Sequence, residues 1–153
     1  MAHVADVLAL KGPRVHSIAP AATVLEATRV MNHHKIGALV VTEGPPDAQR
    51  EGDQVVGMFT ERDVLTRVVV QQRDPSATTV GEVMTGDVAF CRPGDDLDLV
   101  AAMMRERRIR HLPVCGEEGR LLGIISIGDL NAWHAQGREA AISYLHDYIH
   151  GRV

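Results

Sequence analysis

The chain has 153 residues, of which 45% are hydrophobic and 24% charged, a globular composition long enough to bury a core as one compact unit or as two small halves packed together. A formal net charge of −4 gives no general attraction to nucleic acid or to an anionic membrane, so any anion-binding site has to be local. Aromatic residues make up only 3%, which leaves aliphatic side chains and backbone groups, rather than stacked rings, to grip a flat ligand.

The opening stretch, Met1 to Lys11, has neither a basic start nor a long apolar run, and no stretch approaches the ~18 apolar residues of a membrane span, so a cytoplasmic protein is expected. Val15–Ile18 reads as a short strand. Thr23 then caps a helix on which Val24, Ala27 and Met31 share a face, and His33-His34 close it, where imidazoles are favourable without any ligand. Ala38–Val41 and Val55–Phe59 are apolar, β-branched runs of the kind buried on both faces. Between them Thr42–Asp53 is polar and carries Gly and Pro, an exposed hairpin loop. A helix starts at Glu61, and after the linker Val83-Met84-Thr85 the same order returns. The strand is Val88–Cys91, the helix turns Leu97, Val100 and Met104 to one side, the strands are Leu112–Cys115 and Leu121–Ile125, and a helix starts at Ile127. Cys91 and Cys115 sit in unlike settings and are expected to be buried, reduced thiols. Arg105, Arg107, Arg108 and Arg110 are interrupted by Glu106, and for Arg105 and Arg107 a solvated face is a better reading than a nucleic-acid patch. In the tail from Asn131, Ala141, Tyr144, Leu145 and Tyr148 recur at helical spacing, with Ile142 and Ile149 extending the set. They predict an amphipathic helix after a break near Gly137, suited to self-association. His146 and His150 share that helix at i, i+4, but no third ligand stands beside them and no metal site is expected.

The chain is built twice. Pro20, Val24, Ala27, Met31, Ile36, Leu39 and Val41 fall against Pro93, Leu97, Val100, Met104, Ile109, Leu112 and Val114 at a constant offset of 73. Beyond Val41 the offset drops to 66, and Gly57-Met58-Phe59-Thr60-Glu61-Arg62-Asp63 is echoed by Gly123-Ile124-Ile125-Ser126-Ile127-Gly128-Asp129. Each copy ends a buried strand on a hydroxyl residue, two spacers and an aspartate at the start of a helix. Taken singly this is a capping box, the arrangement that Thr23 and Glu26 also form. Taken as a pair at equivalent places it points to a site, because free N–H groups at a helix start attract anions, a hydroxyl there can meet phosphate, and a carboxylate nearby can meet ribose hydroxyls. Each half is too small to bury its sheet alone, so the two are expected to pack through their sheets.

The βαββα repeat, the Gly-x-x-Thr/Ser-x-x-Asp endings, the run Arg108-Ile109-Arg110-His111-Leu112-Pro113-Val114 and the linker Val83-Met84-Thr85 resemble a tandem pair of cystathionine β-synthase (CBS) domains, a Bateman module, over roughly residues 4 to 132. The resemblance implies a mixed α/β (α+β) fold of two βαββα repeats, 4–73 and 78–133, related by a pseudo-two-fold axis, with a helix over 134–153. It implies adenosine ligands bound in clefts between the repeats: AMP first, with ADP, ATP, NAD(H) and S-adenosylmethionine as alternatives and no required cofactor. On that basis Asp63 and Asp129 would hold ribose hydroxyls, and Thr60 and Ser126 would lie near phosphate. Arg110 and His111 would reach the phosphate of the opposite repeat's nucleotide. Ile36, Gly37, Ala38, Ile109, Thr85 and Ala89 would face the adenine. Arg62, beside Asp63, is equally at home as a solvated residue of a first helical turn.

The halves depart from one another where the first has Gly37 and Ala38 against Arg110 and His111 of the second, so unequal sites are expected, the tighter one combining Asp63 with the basic pair. The favoured function is a regulatory adenine-nucleotide sensor that forms a homodimer and signals to a protein partner, with neither nucleic acid nor membrane as partner. A ligand-free interaction scaffold is the alternative. An enzyme is disfavoured, since no Ser, Cys, His or carboxylate positions form a catalytic constellation.

Overall fold

A computed structural model of the chain describes residues 2–12, 15–44 and 53–137. Its first element, α1 (Val4–Lys11), opens where the His3 N–H donates to the Asp6 carboxylate at 2.8 Å. Then follow β1 (Ser17–Ile18), α2 (Val24–His34), β2 (Ala38–Glu43) and β3 (Gln54–Thr60), and the short helix α3 (Glu61–Asp63), which runs on as a π-helical stretch, Val64–Val69. The second half holds α4 (Val80–Val83), α5 (Leu97–Arg107), β4 (His111–Cys115), a 3₁₀ turn, β5 (Leu121–Ser126) and a helix, α6, whose described part spans 127–137. Gly137 is itself helical; the amphipathic helix expected beyond it, the paired histidines on it and the centre of the loop after β2 lie outside the described residues.

The apolar periodicity does what the sequence implies. Thr23 caps α2 in a box with Glu26, and Val24, Ala27 and Met31 are buried beneath it. Leu97, Val100 and Met104 are buried beneath α5. Both helices end on a non-glycine residue in the left-handed region, Lys35 and Arg108, each at φ 54°, which turns the chain sharply into the next strand. In the first sheet β1 runs parallel to β2 and β2 antiparallel to β3, while β4 and β5 form an antiparallel pair.

One expected strand is reduced to a single bridge. Of Val88–Cys91 only Cys91 pairs, parallel to Val114, through Cys91 N–H to the Pro113 carbonyl (3.0 Å) and Cys115 N–H to the Cys91 carbonyl (2.9 Å). In the first half the next rung is Val40 N–H to His16 carbonyl at 3.3 Å. The residue in the place of Val40 is Pro113, which has no N–H to give to the carbonyl of Ala89. β1 is likewise shorter than the expected Val15–Ile18 and pairs only at Ser17 and Ile18.

Two helices, α1 and α4, lie within the bounds 4–73 and 78–133 but outside the βαββα order read from the sequence, and each docks on one half. Val80 and Val83 of α4 are buried in the first core with Val24, Leu39 and Phe59, whereas Val4 and Val7 of α1 are buried in the second with Leu97, Leu112 and Ile125. The docking hydrogen bonds repeat one another. Val80 and Gly81 donate to Ala22 and Pro20 at 2.8 and 2.9 Å, and Val4 and Ala5 donate to Asp95 and Pro93 at 3.0 and 2.9 Å. The two motif glycines receive these helices: a Cβ on Gly57 would lie 2.5 Å from Met84 Sδ, and one on Gly123 2.8 Å from Leu8 Cδ2. Between the halves Ala38, Val40 and Met58 form a third core, packed against Val55, Leu121 and Ile124, so the sheets face one another as expected.

Candidate functional site

The pseudo-two-fold fold carries the end of β3 toward the start of β4, and a cleft of about 1070 Å³ opens between them. One wall comes from the first half: Gly37, Thr60, Arg62, Asp63 and Arg67, with Thr85 and Ala89 from the connection. The other comes from the second: Arg105, Arg107, Arg108, Ile109, Arg110 and His111. Nine of the residues predicted from sequence therefore meet here, and the cleft of Asp63 is the one that receives Arg110 and His111. Ile36, Ala38, Ser126 and Asp129 do not line it. Ile36, which precedes β2, packs on the first core, and Ala38, the first residue of that strand, is buried between the sheets.

At the carboxylate end the motif is a capping box whose residues also line the cleft. Thr60 N–H donates to Asp63 Oδ2 at 3.0 Å, and Asp63 N–H donates to Thr60 Oγ1 at 3.4 Å, closing a capping box. The other carboxylate oxygen, Oδ1, accepts from the Thr85 hydroxyl at 3.2 Å, with Arg67 Nε at 3.7 Å. Arg67 in turn donates to the carbonyls of Val83 and Met84, at 3.1 and 2.7 Å, and so fixes the linker that carries Thr85. Sequence reasoning passed over Arg67, although its i, i+4 spacing from Asp63 was there to be read. It also left Arg105 and Arg107 as solvated residues; they are exposed and at the same time line the cleft. Glu61 lies over Gly37, where its carboxylate is 3.2–3.4 Å from the position of a Cβ.

His111 closes the basic end. Burial first, and the Lys11 ammonium second, hold its imidazole below the usual range, against the opposing pull of Asp129 and Glu61, so it is neutral near pH 7. The arginines of the cleft supply planar, two-pronged donors for an anion, and Val88, Ala89 and Ile109 add apolar surface to its lining.

The equivalent place in the second half is arranged differently. Ser126 and Asp129 form the same box, with Ser126 N–H to Asp129 Oδ2 at 2.8 Å and Asp129 N–H to Ser126 Oγ at 3.1 Å. The Lys11 ammonium, however, donates to Asp129 Oδ2 at 2.7 Å and to the Ile124 carbonyl at 2.9 Å. Burial pushes the Asp129 carboxyl up, but its hydrogen bonds to Lys11 and Ser126 and the Lys11 charge outweigh it and hold the group below the usual carboxylate range.

Cys91 and Cys115 are buried free thiols, and burial, with Asp95 and Cys115 nearby, pushes the Cys91 thiol up to about 12, far from a nucleophile's range. Among the described residues no cluster of His, Cys, Asp and Glu is placed to hold a metal ion, and no helix is long and apolar enough to cross a membrane.

Comparison with known proteins agrees with this geometry. The family model described as the CBS domain matches residues 4–70 and again 80–134. The CBS domain-containing protein YhcV of Bacillus subtilis is 32% identical over 140 residues, covering 92% of both chains. The mitochondrial CBS domain-containing protein CBSX3 of Arabidopsis thaliana is 34% identical over 131 residues, 84% of this chain, which spans 61% of that longer protein. The solved structure of the CBS domain protein PAE2072 from Pyrobaculum aerophilum, complexed with AMP, superposes with a TM-score of 0.69 at 27% identity over 84% of this chain and 89% of that one. Neither relative is named as an enzyme.

Proposed function

Since the chain belongs to the CBS-domain family, with two copies in tandem, we propose that it is a regulatory module that binds an adenine nucleotide, AMP foremost, in the cleft of Asp63. The observation that carries this reading is the meeting, in one cleft, of a carboxylate and hydroxyl set (Asp63, Thr60, Thr85) with the guanidiniums of Arg108 and Arg110, the His111 imidazole and apolar surface. The first set suits the vicinal hydroxyls of a ribose, the second suits phosphate, and Ala89 and Ile109 suit a flat base. PAE2072, which shares the fold, was solved with AMP, and this supports AMP ahead of ADP, ATP or NAD(H). S-adenosylmethionine, with its sulfonium, fits an arginine-rich end less well.

Occupancy would draw the two walls together, because they belong to different halves, and the change in their angle is the signal a protein partner reads. Leu65 and Val69, both 60% exposed and one turn apart, support a homodimer as the working form, for which a cytoplasmic location is proposed. The reading is tested by calorimetric titration of the purified protein with AMP, ATP, NADH and S-adenosylmethionine, repeated on Asp63→Ala. A phosphate-bearing ligand should bind, and the substitution should weaken it by about ten-fold or more, the worth of a charge-assisted hydrogen bond. Unchanged affinity in Asp63→Ala would remove the cleft from the reading and leave the ligand-free scaffold as its replacement.

A further inference from the structure

The two halves present the same capping box to their clefts, yet the linker residue that meets each aspartate differs in kind. Asp63 meets the neutral hydroxyl of Thr85 at 3.2 Å, with Arg67 Nε at 3.7 Å, beyond hydrogen-bond reach. Asp129 meets an ammonium at 2.7 Å. That ammonium arrives from α1, which is docked on the second core by Val4 and Val7 with Leu8 against Gly123, and whose last residue, Lys11, reaches the Ile124 carbonyl of β5 and Asp129 in the first turn of the closing helix. The side chains of the pair are only 30% and 22% exposed, and the Lys11 ammonium is held twice, by Asp129 and by the Ile124 carbonyl. The carbonyl equivalent to that of Ile124 is that of Met58, which in the first half accepts from the backbone N–H of Thr85 at 2.9 Å. Lys11 therefore takes both partners that the connection takes in the first half, and it brings its positive charge within hydrogen-bond distance of the carboxylate where Thr85 brings a neutral hydroxyl.

We infer that Lys11 is a built-in occupant of the second cleft, sealing Asp129 against ligand, so that the module takes one nucleotide per chain rather than two. The inference rests on the nucleotide reading of the Asp63 cleft. A ribose entering the second cleft has to displace an ammonium that donates two short hydrogen bonds, one of them to Asp129, and it offers Asp129 only neutral hydroxyls in return. Gly37 and Ala38 stand where the other half has Arg110 and His111, and only Arg108 keeps a cationic counterpart, Lys35, so its phosphate has less to offset that loss. Lys11 does not line the Asp63 cleft itself.

The test uses the full chain in two measurements. In calorimetry with AMP and with ATP, the native protein should bind one equivalent, lost in Asp63→Ala. Lys11→Met, which keeps the stem and removes the charge, should bind a second equivalent that disappears again when Asp129→Ala is added. Two equivalents in the native protein, or one in Lys11→Met, overturns the inference. The second measurement needs no ligand. Lys11 and Lys35 are the lysines of the chain, so each can be followed by mass spectrometry during acetylation with an amine-selective reagent. Lys11 should react at least about three-fold more slowly than the exposed Lys35, and Asp129→Asn should abolish the difference; equal rates in the native protein overturn the latch. If no variant binds either nucleotide, the stoichiometric claim falls together with the nucleotide reading. A slow Lys11 would then show that the fault lay in the ligand assignment and not in the latch.

Discussion

At the scale of single residues, His111 is the group whose charge matters most. The fold holds its imidazole below the usual value of 6.5, so between that pH and its folded pKa the unfolded chain binds the extra proton and the folded one does not. Stability should therefore fall as pH drops from about 6.5 down through the folded pKa, and His111→Gln should flatten that part of the profile. Urea midpoints measured from pH 7.5 to 5.0 check it; parallel profiles for the two proteins would show that the imidazole is not held neutral. Asp129 acts in a separate window: its carboxyl is depressed, so the stability it contributes is present above the unfolded value of about 3.9 and is lost as pH falls through the lower folded value. Most residues that matter at this scale were visible in the sequence, because Thr60 and Asp63 recur in register as Ser126 and Asp129, and Arg110 and His111 break the symmetry. Lys11 was not visible. The charge of a lysine in an opening segment says nothing of which carboxylate, 118 positions away, the fold will bring to it.

At the scale of elements, the two motif glycines are seats for helices. A methyl group at Gly57 would meet Met84 Sδ at 2.5 Å and the Thr85 carbonyl at 3.0 Å, a backbone atom that cannot swing aside. At Gly123 the nearest atom, at 2.8 Å, is the flexible end of Leu8. Gly57→Ala should cost about 1–3 kcal/mol, as overpacking does, and Gly123→Ala distinctly less. Denaturant unfolding of both variants decides it, and equal losses would mean that the backbone contact of Thr85 is not the cause. These seats explain what the sequence reading missed. Val4-Ala5-Asp6-Val7 and Val80-Gly81-Glu82-Val83 are a third piece of the repeat, at an offset of 76, but each is a turn or two of helix with too few apolar positions for periodicity to announce it. The expected strand at Val88–Cys91 failed for the opposite reason. Its own residues favour a strand, and the missing N–H belongs to Pro113 on the neighbour, which a reading of one segment at a time does not consult.

At the scale of the whole molecule, the two halves are joined by exchange, since each is completed by a helix that lies outside its own run of strands. Removing residues 2–11 should therefore damage the distant half first. Hydrogen exchange on such a truncated chain should show protection lost across β4 and β5, whose core contains Val4 and Val7, while β2 and β3, whose core contains Val80 and Val83, keep theirs. Uniform loss would mean that the two cores open as one cooperative unit. The alternation of apolar strands was enough to place the sheets face to face, because that follows from each half's size; which helix completes which half depends on chain connectivity that local patterns do not encode.

The same exchange sets a schedule for a chain as it is made. Everything the first core needs, from Ile18 to Val83, emerges in one continuous stretch, and that half can close while the rest is still being synthesised. The opening helix has the opposite fate. It appears first and docks last, carrying Val4 and Val7 uncovered until Leu97, Leu112 and Ile125 have followed it out. A stalled nascent chain with residues up to 95 outside the ribosome should thus carry a finished first half and a loose leading helix, and that helix is the segment a chaperone would have to shield.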